Sequence, residues 1–166
     1  MTARRCMRWT LSAGLLTILL APTITRAAGP YDTYTVPPCR VVDTRVTAQG
    51  QIPAGGSRSF IVAGDTSTQG GAVNCNIPDG LAKGVYLNIV AVAPSAPAWL
   101  TVYPYPSMLP LASTLNFDTE QTIANGVLVP ICDATVSDCT NDITVTMGPA
   151  AAHIVIDVMG YLLPTP

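Results

Sequence analysis

Basic residues are scarce in this sequence, which has eight lysines and arginines against ten acidic residues. Four of the eight lie in the first 27 residues, which we expect to be removed. Residues 28–166 then carry four basic and ten acidic residues, a net charge of −6. Nucleic acids and anionic lipids are bound by basic surfaces. The composition therefore argues against nucleic acid, and against a membrane surface, as a partner of the processed chain.

The side chains that most often carry catalysis or bind metals are also few. His153 is the only histidine and Glu120 the only glutamate, and the sequence contains neither a Cys-x-x-Cys pair nor a Gly-x-Ser-x-Gly elbow. On one strand, His153 and Asp157 would be separated by more than about 10 Å. We therefore expect a non-enzymatic protein without a cofactor, and keep a secreted hydrolase that uses His153 as an alternative.

The N-terminal segment resembles an export signal. It combines a basic start with an apolar run over Trp9–Ala21 and with small residues before a cleavage point after Ala27 or Ala28. The run is short for a membrane span, so an uncleaved anchor is the weaker alternative. The sequence predicts a cleaved signal helix in residues 1–27 and a single domain in residues 28–166, located outside the inner membrane, either in the periplasm or outside the cell.

Four cysteines remain outside this segment, and an even number in an exported domain indicates two disulfides. Three pairings are open. We favour Cys132 with Cys139, because both lie on one short turn, which leaves Cys39 with Cys75. A zinc site is the weaker alternative, since suitable spacing and further ligands are missing.

The run from Gly84 to Tyr105 alternates apolar residues at period two on either side of a Pro-rich turn, and predicts two strands joined as a hairpin. No stretch after the signal has helical periodicity. Alternation predicts further strands at residues 39–45, 57–63, 113–117, 122–131, 143–147 and 152–163. About eight short strands separated by turns are typical of an all-β protein, and we predict an antiparallel two-sheet β-sandwich.

Six segments in order carry a resemblance. They are Cys39–Arg45 (CRVVDTR), Leu87–Pro94 (LNIVAVAP), Leu100–Pro104 (LTVYP), Ser113–Phe117 (STLNF), Gln121–Asn125 (QTIAN) and His153–Tyr161 (HIVIDVMGY). Together they resemble a widespread family of secreted bacterial β-domains that occur alone or appended to larger exported proteins. That family has no assigned reaction, so the resemblance implies an exported accessory or binding module and supplies no catalytic residues. The Cys132–Cys139 turn and the Pro-rich Tyr103–Pro110 connection depart from the family pattern.

Two sets of side chains are candidates for ligand binding. Tyr103 and Tyr105 alternate on one face and would form a stacking platform for sugars or a partner if that face is exposed. Asn88, Asn116 and Asn125 lie among apolar strand residues, where asparagine needs a hydrogen-bonding reason. They could line a polar sugar-binding groove, or satisfy backbone groups between the sheets.

Charged residues give two further candidates. Asp43 and Arg45, two positions apart, project to the same side and indicate either a ligand clamp or a structural ion pair. We expect a structural role for this pair and for Asp157.

The turn that carries Asp133, Asp138 and Asp142 is rich in oxygen ligands and is a weak calcium candidate, although its spacing differs from that of an EF-hand loop. A solvated acidic turn is the alternative.

These observations predict an exported, non-enzymatic binding or structural module at or outside the cell surface. A protein and a glycan both remain open as partners. A lectin-like domain that uses the Tyr103–Tyr105 region is the first alternative function.

Overall fold

The computed structural model of this protein describes residues 29–166. The predicted signal segment and its cleavage point lie outside the described residues. Within residues 29–166 there is no helix of the length and apolarity needed to cross a membrane.

The described chain is all-β, with eight strands and one short 3-10 turn at Ser67–Gln69. The strands are β1 (Tyr31–Asp43), β2 (Ser57–Phe60), β3 (Gly84–Val92), β4 (Ala98–Pro104), β5 (Leu115–Phe117), β6 (Ile123–Pro130), β7 (Ile143–Met147) and β8 (His153–Pro164). They form two four-stranded antiparallel sheets with the orders β1-β8-β3-β6 and β2-β7-β4-β5. The predicted all-β architecture of two antiparallel sheets is confirmed.

The core lies between the two sheets and follows from the period-two alternation. On β3, Val85, Leu87, Ile89 and Ala91 are fully buried, whereas the residues between them are half-buried on the outer face. Burying a Leu or Ile side chain contributes about 1.5–3 kcal/mol. The alternation read from the sequence therefore assigns the inner and outer faces of this strand.

The predicted hairpin over Gly84–Tyr105 is wrong. β3 pairs with β8 and β6, whereas β4 pairs with β7 and β5 in the other sheet. The connecting residues 93–97 cross the space of about 10 Å that separates packed sheets. Ala93 turns the chain out of β3 with a φ of 47°, and Pro94 after it is buried. β3 and β4 are thereby central strands of different sheets, each with two hydrogen-bonded neighbours.

Both predicted disulfides are confirmed. Cys39 in β1 is bonded to Cys75 in the long β2–β3 connection, and Cys132 is bonded to Cys139 across the β6–β7 loop. Disulfides persist in oxidising compartments, so the pair fits an extracellular or periplasmic setting.

Candidate functional site

The two most exposed large apolar residues of the described chain, and a third that is less exposed, lie in the connection between β4 and β5. Residues 105–113 of this connection are called here the apolar loop. Met108 is 91% exposed, Leu111 is fully exposed and Leu109 is partly exposed. A cluster of large apolar side chains in water typically marks an interaction site, whereas isolated ones are ordinary.

Both ends of the apolar loop are fixed to the sandwich. At its start, the Tyr105 amide donates to the Asp142 carbonyl (3.1 Å), and the Ser107 amide donates to the Pro104 carbonyl (2.9 Å). At its end, the Thr101 hydroxyl donates to the Ala112 carbonyl (3.2 Å). Pro106 and Pro110 further restrict the backbone between these points. The loop therefore presents its apolar side chains from an anchored backbone.

Trp99 extends this surface. It lies with Leu111 and Ser113 around a cleft of about 270 Å³. Gly148 permits this position, because a Cβ atom there would come within 2.8 Å of the Trp99 ring. Residues 84–117 contain no charged side chain, so the loop and the strands before it form an uncharged part of an acidic chain.

A stacking platform of Tyr103 and Tyr105 requires an exposed face, and Tyr103 does not lie on one. Tyr103 is only 8% exposed, and its hydroxyl lies 3.0 Å from the Thr146 hydroxyl, which also contacts Ser57. Its ring is therefore packed over hydroxyl-bearing side chains and cannot stack on a ligand. Tyr105 is half-buried and its hydroxyl accepts from Thr140 (3.3 Å).

The three asparagines do not share a groove. Asn88 lies on β3 opposite Asp157, whereas Asn116 lies on β5 opposite Trp99 in the other sheet. The Asn125 side chain donates to the Thr114 carbonyl (2.8 Å), joining β6 to the segment before β5. This bond matches the backbone-satisfying role that was the alternative to a sugar-binding groove.

Asp43, Arg45, Arg40 and Asp157 form one ion-pair network. Arg45 donates to both carboxylate oxygens of Asp43 (2.8 and 2.6 Å), and Arg40 bridges Asp43 (3.0 Å) to Asp157 (2.5 Å). The hydrogen bond from the Arg45 side chain is the main reason that the pKa of Asp43 is lowered. The pairs tie β1 to β8 and give these residues the structural role that the sequence favours.

His153 does not pair with Asp157. Its Nδ1 lies 3.2 Å from the Thr44 hydroxyl, whose oxygen accepts from the Ile154 amide (2.8 Å). Because the Thr44 oxygen accepts from Ile154, the hydroxyl hydrogen of Thr44 is free to be donated to Nδ1 of His153. Asp157 is bound to Arg40 instead, so the hydrolase alternative finds no His153–Asp157 pair in the described residues.

The three carboxylates of the calcium candidate serve different purposes. Asp133 binds the Lys83 ammonium (2.7 Å) and the Thr135 amide (2.9 Å), and the bond to Lys83 is the largest cause of a pKa lowered to about 2. Asp138 is exposed. Residues 29–166 contain no group of three or more His, Cys, Asp or Glu side chains placed to hold a metal ion.

Asp142 instead organises the end of the sandwich next to the apolar loop. Its Oδ2 accepts from the Val62 and Ala63 amides (2.6 and 3.3 Å), and its carbonyl accepts from Tyr105 and Cys132. Partial burial is the main cause of its raised pKa. The carboxylate lies in the wall of a cavity of about 350 Å³.

Sequence reasoning noted the Pro-rich Tyr103–Pro110 connection but missed the exposure of its apolar residues. The available signal was the run Met108–Leu111, which follows Pro106, contains Pro110 and carries apolar residues without period-two alternation. Such a run belongs to no strand face, so nothing in the sandwich is predicted to bury it.

No family model, curated protein or solved structure matches this chain. The resemblance to secreted bacterial β-domains stays a prediction.

Proposed function

We propose that this protein is an exported, non-enzymatic binding module that docks a protein partner outside the inner membrane through the apolar loop. The exposure of Met108 and Leu111 carries the proposal. These side chains contribute nothing to the core while they are in water, and burying each against a partner would contribute about 1.5–3 kcal/mol.

The anchoring of the loop favours binding. Ordering a flexible segment opposes association, and a backbone that is already held at both ends loses less conformational freedom. The hydrogen bonds of Tyr105 and Ala112 hold the two ends of the apolar loop, and two prolines restrict its middle. The cost of ordering the apolar loop on binding is therefore smaller than it would be for a flexible segment.

Export is part of the same proposal. The basic and apolar N-terminal segment predicts a signal peptide, and the two disulfides require an oxidising compartment to persist. The partner is therefore a periplasmic or extracellular protein. Because the apolar loop is uncharged, the partner's binding surface is apolar.

Crosslinking in the exported fraction of the producing cells tests this proposal. A photoreactive group at Ser107, beside the exposed side chains, should give a discrete adduct with another protein in the wild type. Met108→Ser with Leu111→Ser should abolish the adduct. Val136→Ser is the matched control, because Val136 is 80% exposed on the β6–β7 loop and should not matter. An adduct of equal yield in the double variant would contradict the proposal.

A lectin-like function is the second candidate, now centred on Trp99. Its half-buried ring lies beside the Ser113 hydroxyl at a cleft, and an aromatic ring next to a hydroxyl suits a sugar. Trp99 is the only tryptophan in residues 28–166. Saturable quenching of its fluorescence in a glycan screen would support this candidate, and a flat response across the screen would remove it.

A further inference from the structure

We propose that the free edge of β6 binds an extended segment of another protein, which joins the four-stranded β1-β8-β3-β6 sheet as a further strand. An apolar side chain of the added segment packs into a groove beside Gly84. This site is separate from the apolar loop, so the inference goes beyond the proposed function and is tested independently of it.

β6 is the least protected of the four edge strands in the two described sheets. Proteins commonly prevent strand addition at an edge by shortness, charge, proline or a bulge. β2 has four residues including Arg58, and β5 has three. β1 contains Pro37 and Pro38 and has two register shifts against β8. β6 has eight residues without a charged side chain, pairs with β3 in one continuous register, and carries proline only at its last position.

Alternate backbone groups of β6 point away from β3. The Ile131 amide donates to the Lys83 carbonyl (3.3 Å) and continues the β3–β6 ladder. Because bonded and non-bonded pairs alternate in antiparallel strands, the odd-numbered residues of β6 bind β3, and the amides of Ala124, Gly126 and Leu128 face outward. All three residues are exposed, and no loop or turn carbonyl of residues 29–166 accepts from their amides. Such a row of donors and acceptors, spaced every second residue, complements an extended backbone.

A groove at the outer face of β6 offers a place for a side chain of the added segment. Its volume is about 500 Å³, and it is lined by Tyr31, Lys83, Gly84, Leu128, Pro130 and Leu162. A Cβ atom on Gly84 would lie 3.4 Å from a Leu162 methyl group and 3.6 Å from a Leu128 methyl group, so the glycine leaves an opening between two leucines. A strand paired with β6 would place side chains about 4.5–5.5 Å from Leu128 and Pro130, where a large apolar one packs against the groove.

Charge narrows the chemistry of the added segment. β3 and β6 contain no charged residue, and the only one in the groove, Lys83, is paired with Asp133 at 2.7 Å. The rest of the chain gives residues 28–166 a net charge of −6, which repels acidic segments and a second copy alike. The occupant is therefore an extended, non-acidic segment of a different protein, with apolar side chains at alternate positions.

Amide hydrogen exchange followed by NMR tests the inference on the exported protein. The probe is a synthetic peptide of seven residues that alternates threonine with valine, carries one central leucine and is blocked at both ends. Without it, the amides of Ala124, Gly126 and Leu128 should exchange rapidly, whereas those of the odd-numbered β6 residues are protected. Saturating peptide should protect the three outward amides. Peptide that binds without protecting them, or that does not bind, would overturn the inference.

Gly126→Pro removes the central outward amide while leaving the ladder to β3 intact, because proline is tolerated where its nitrogen faces solvent at an edge. It should weaken peptide binding about tenfold or more, since one backbone hydrogen bond is lost and the ring obstructs the incoming strand. Gly126→Ala is the matched control, because it keeps the amide and its Cβ would meet no atom within 4 Å. Equal binding by the two variants would contradict strand addition.

A peptide with N-methyl groups on alternate amides decides the same point on the wild type if Gly126→Pro does not fold. It can no longer donate to the outward carbonyls of β6, so it should fail to bind. Undiminished binding of this peptide would show that its side chains alone are recognised, and would overturn strand addition.

The groove is tested by replacing the leucine of the peptide with serine. This should weaken binding to the wild type about tenfold, and much less to Leu128→Ser, because the apolar contact is already lost there. An equal loss in both proteins would remove the groove from the site.

Two further outcomes separate this site from other possibilities. Met108→Ser with Leu111→Ser should bind the peptide as the wild type does, and Gly126→Pro should still form the loop-dependent adduct, so either proposal can fail alone. If the outward amides became protected as the protein concentration rose without peptide, the occupant would be a second copy and the assignment to a different protein would be wrong.

Discussion

Two carboxylates near opposite ends of the sandwich show how surroundings decide what an aspartate does. Asp43, opposite Val155 near the start of β8, binds the side chains of Arg45 and Arg40. Asp142, just before β7, accepts only from backbone amides, and Asp79 nearby adds repulsion. The pKa of Asp43 is lowered by its hydrogen bonds to Arg45, and the pKa of Asp142 is raised by burial.

The two aspartates therefore have different roles: Asp43 takes part in an ion-pair network, whereas Asp142 holds backbone amides in place. Asp43 is stabilised as an ion and binds Arg40, whose other contact, Asp157, lies on β8. Asp142 is a costly ion at neutral pH, but its oxygens receive four backbone amides, from Val62, Ala63, Tyr105 and Cys132. The Asp142 region thereby supports the start of the apolar loop, which places the less stable carboxylate beside the candidate site.

Removing a disulfide should have the largest effect on the free energy of unfolding. Cys39–Cys75 has a separation of 36 residues and Cys132–Cys139 of 7, which correspond to about 4 and about 2.5 kcal/mol in the chain-entropy model. Urea unfolding of C39S/C75S and of C132S/C139S should show that order. Equal losses would mean that the native contacts around each bridge, rather than loop entropy, determine its contribution.

Asp142→Ala should be about as damaging as loss of the Cys132–Cys139 bridge. It leaves the buried Val62 and Ala63 amides without acceptors, at a cost of about 1–3 kcal/mol each. Asp142→Asn is the matched control, because its amide oxygen can still accept. Urea unfolding at neutral pH should find the Asn variant at least as stable as the wild type. A loss as large as that of the Ala variant would show that the charge, rather than the acceptor, is needed.

The sequence revealed the structural role of Asp43 but not that of Asp142. Asp43 has Arg45 two positions away, so the ion pair is visible in local spacing. The amides bound by Asp142 belong to Val62 and Ala63, about 80 positions earlier, and no local pattern marks them. Asp142 was accordingly grouped with Asp133 as a calcium candidate.

The absence of a local pattern for distant contacts also explains why the hairpin prediction over Gly84–Tyr105 is wrong. Alternation within β3 and β4 correctly predicts two strands, because side-chain direction is a local property. It separates buried from half-buried residues on β3, whereas both faces of β4 are buried from Leu100 to Tyr103. Strand pairing depends on distant residues, so a short Pro-rich connection between two apolar strands fits both a hairpin and a crossing between sheets. Ala93, with a positive φ that alanine rarely adopts, makes the turn that decides the matter here.

An amide substitution at Asp43 should have the opposite result to that at Asp142. Asp43→Asn removes the charge that Arg40 and Arg45 face, and the amide group presents only one acceptor oxygen to the Arg45 fork. Both arginines are partly exposed, so we expect a loss of only about 1 kcal/mol, at the upper end for exposed ion pairs. Urea unfolding of the two Asn variants side by side measures this difference. Stabilisation by Asp43→Asn would contradict the assigned role of the network.

The smallest expected effect is on how steeply the free energy of unfolding changes with pH in the Asp43 and Asp142 variants. The lowered pKa of Asp43 gives a contribution that is present above its unfolded value, near 3.8, and is lost as the pH falls through the folded value. The raised pKa of Asp142 works in reverse, since its contribution is complete below 3.8 and is lost as the pH rises through the folded value. Asp133, with a pKa of about 2, adds to the loss on acidification in every variant.

Between pH 6 and pH 3, Asp142→Asn should therefore lose stability more steeply than the wild type, because the gain from protonating Asp142 is absent. Asp43→Asn should lose it less steeply. Thermal unfolding midpoints at half-unit pH intervals measure both slopes within one experiment. If both variants moved the slope in the same direction, Asp43 and Asp142 would not titrate in opposite senses, and the contrast between a cation-paired carboxylate and an amide-bound one would be lost.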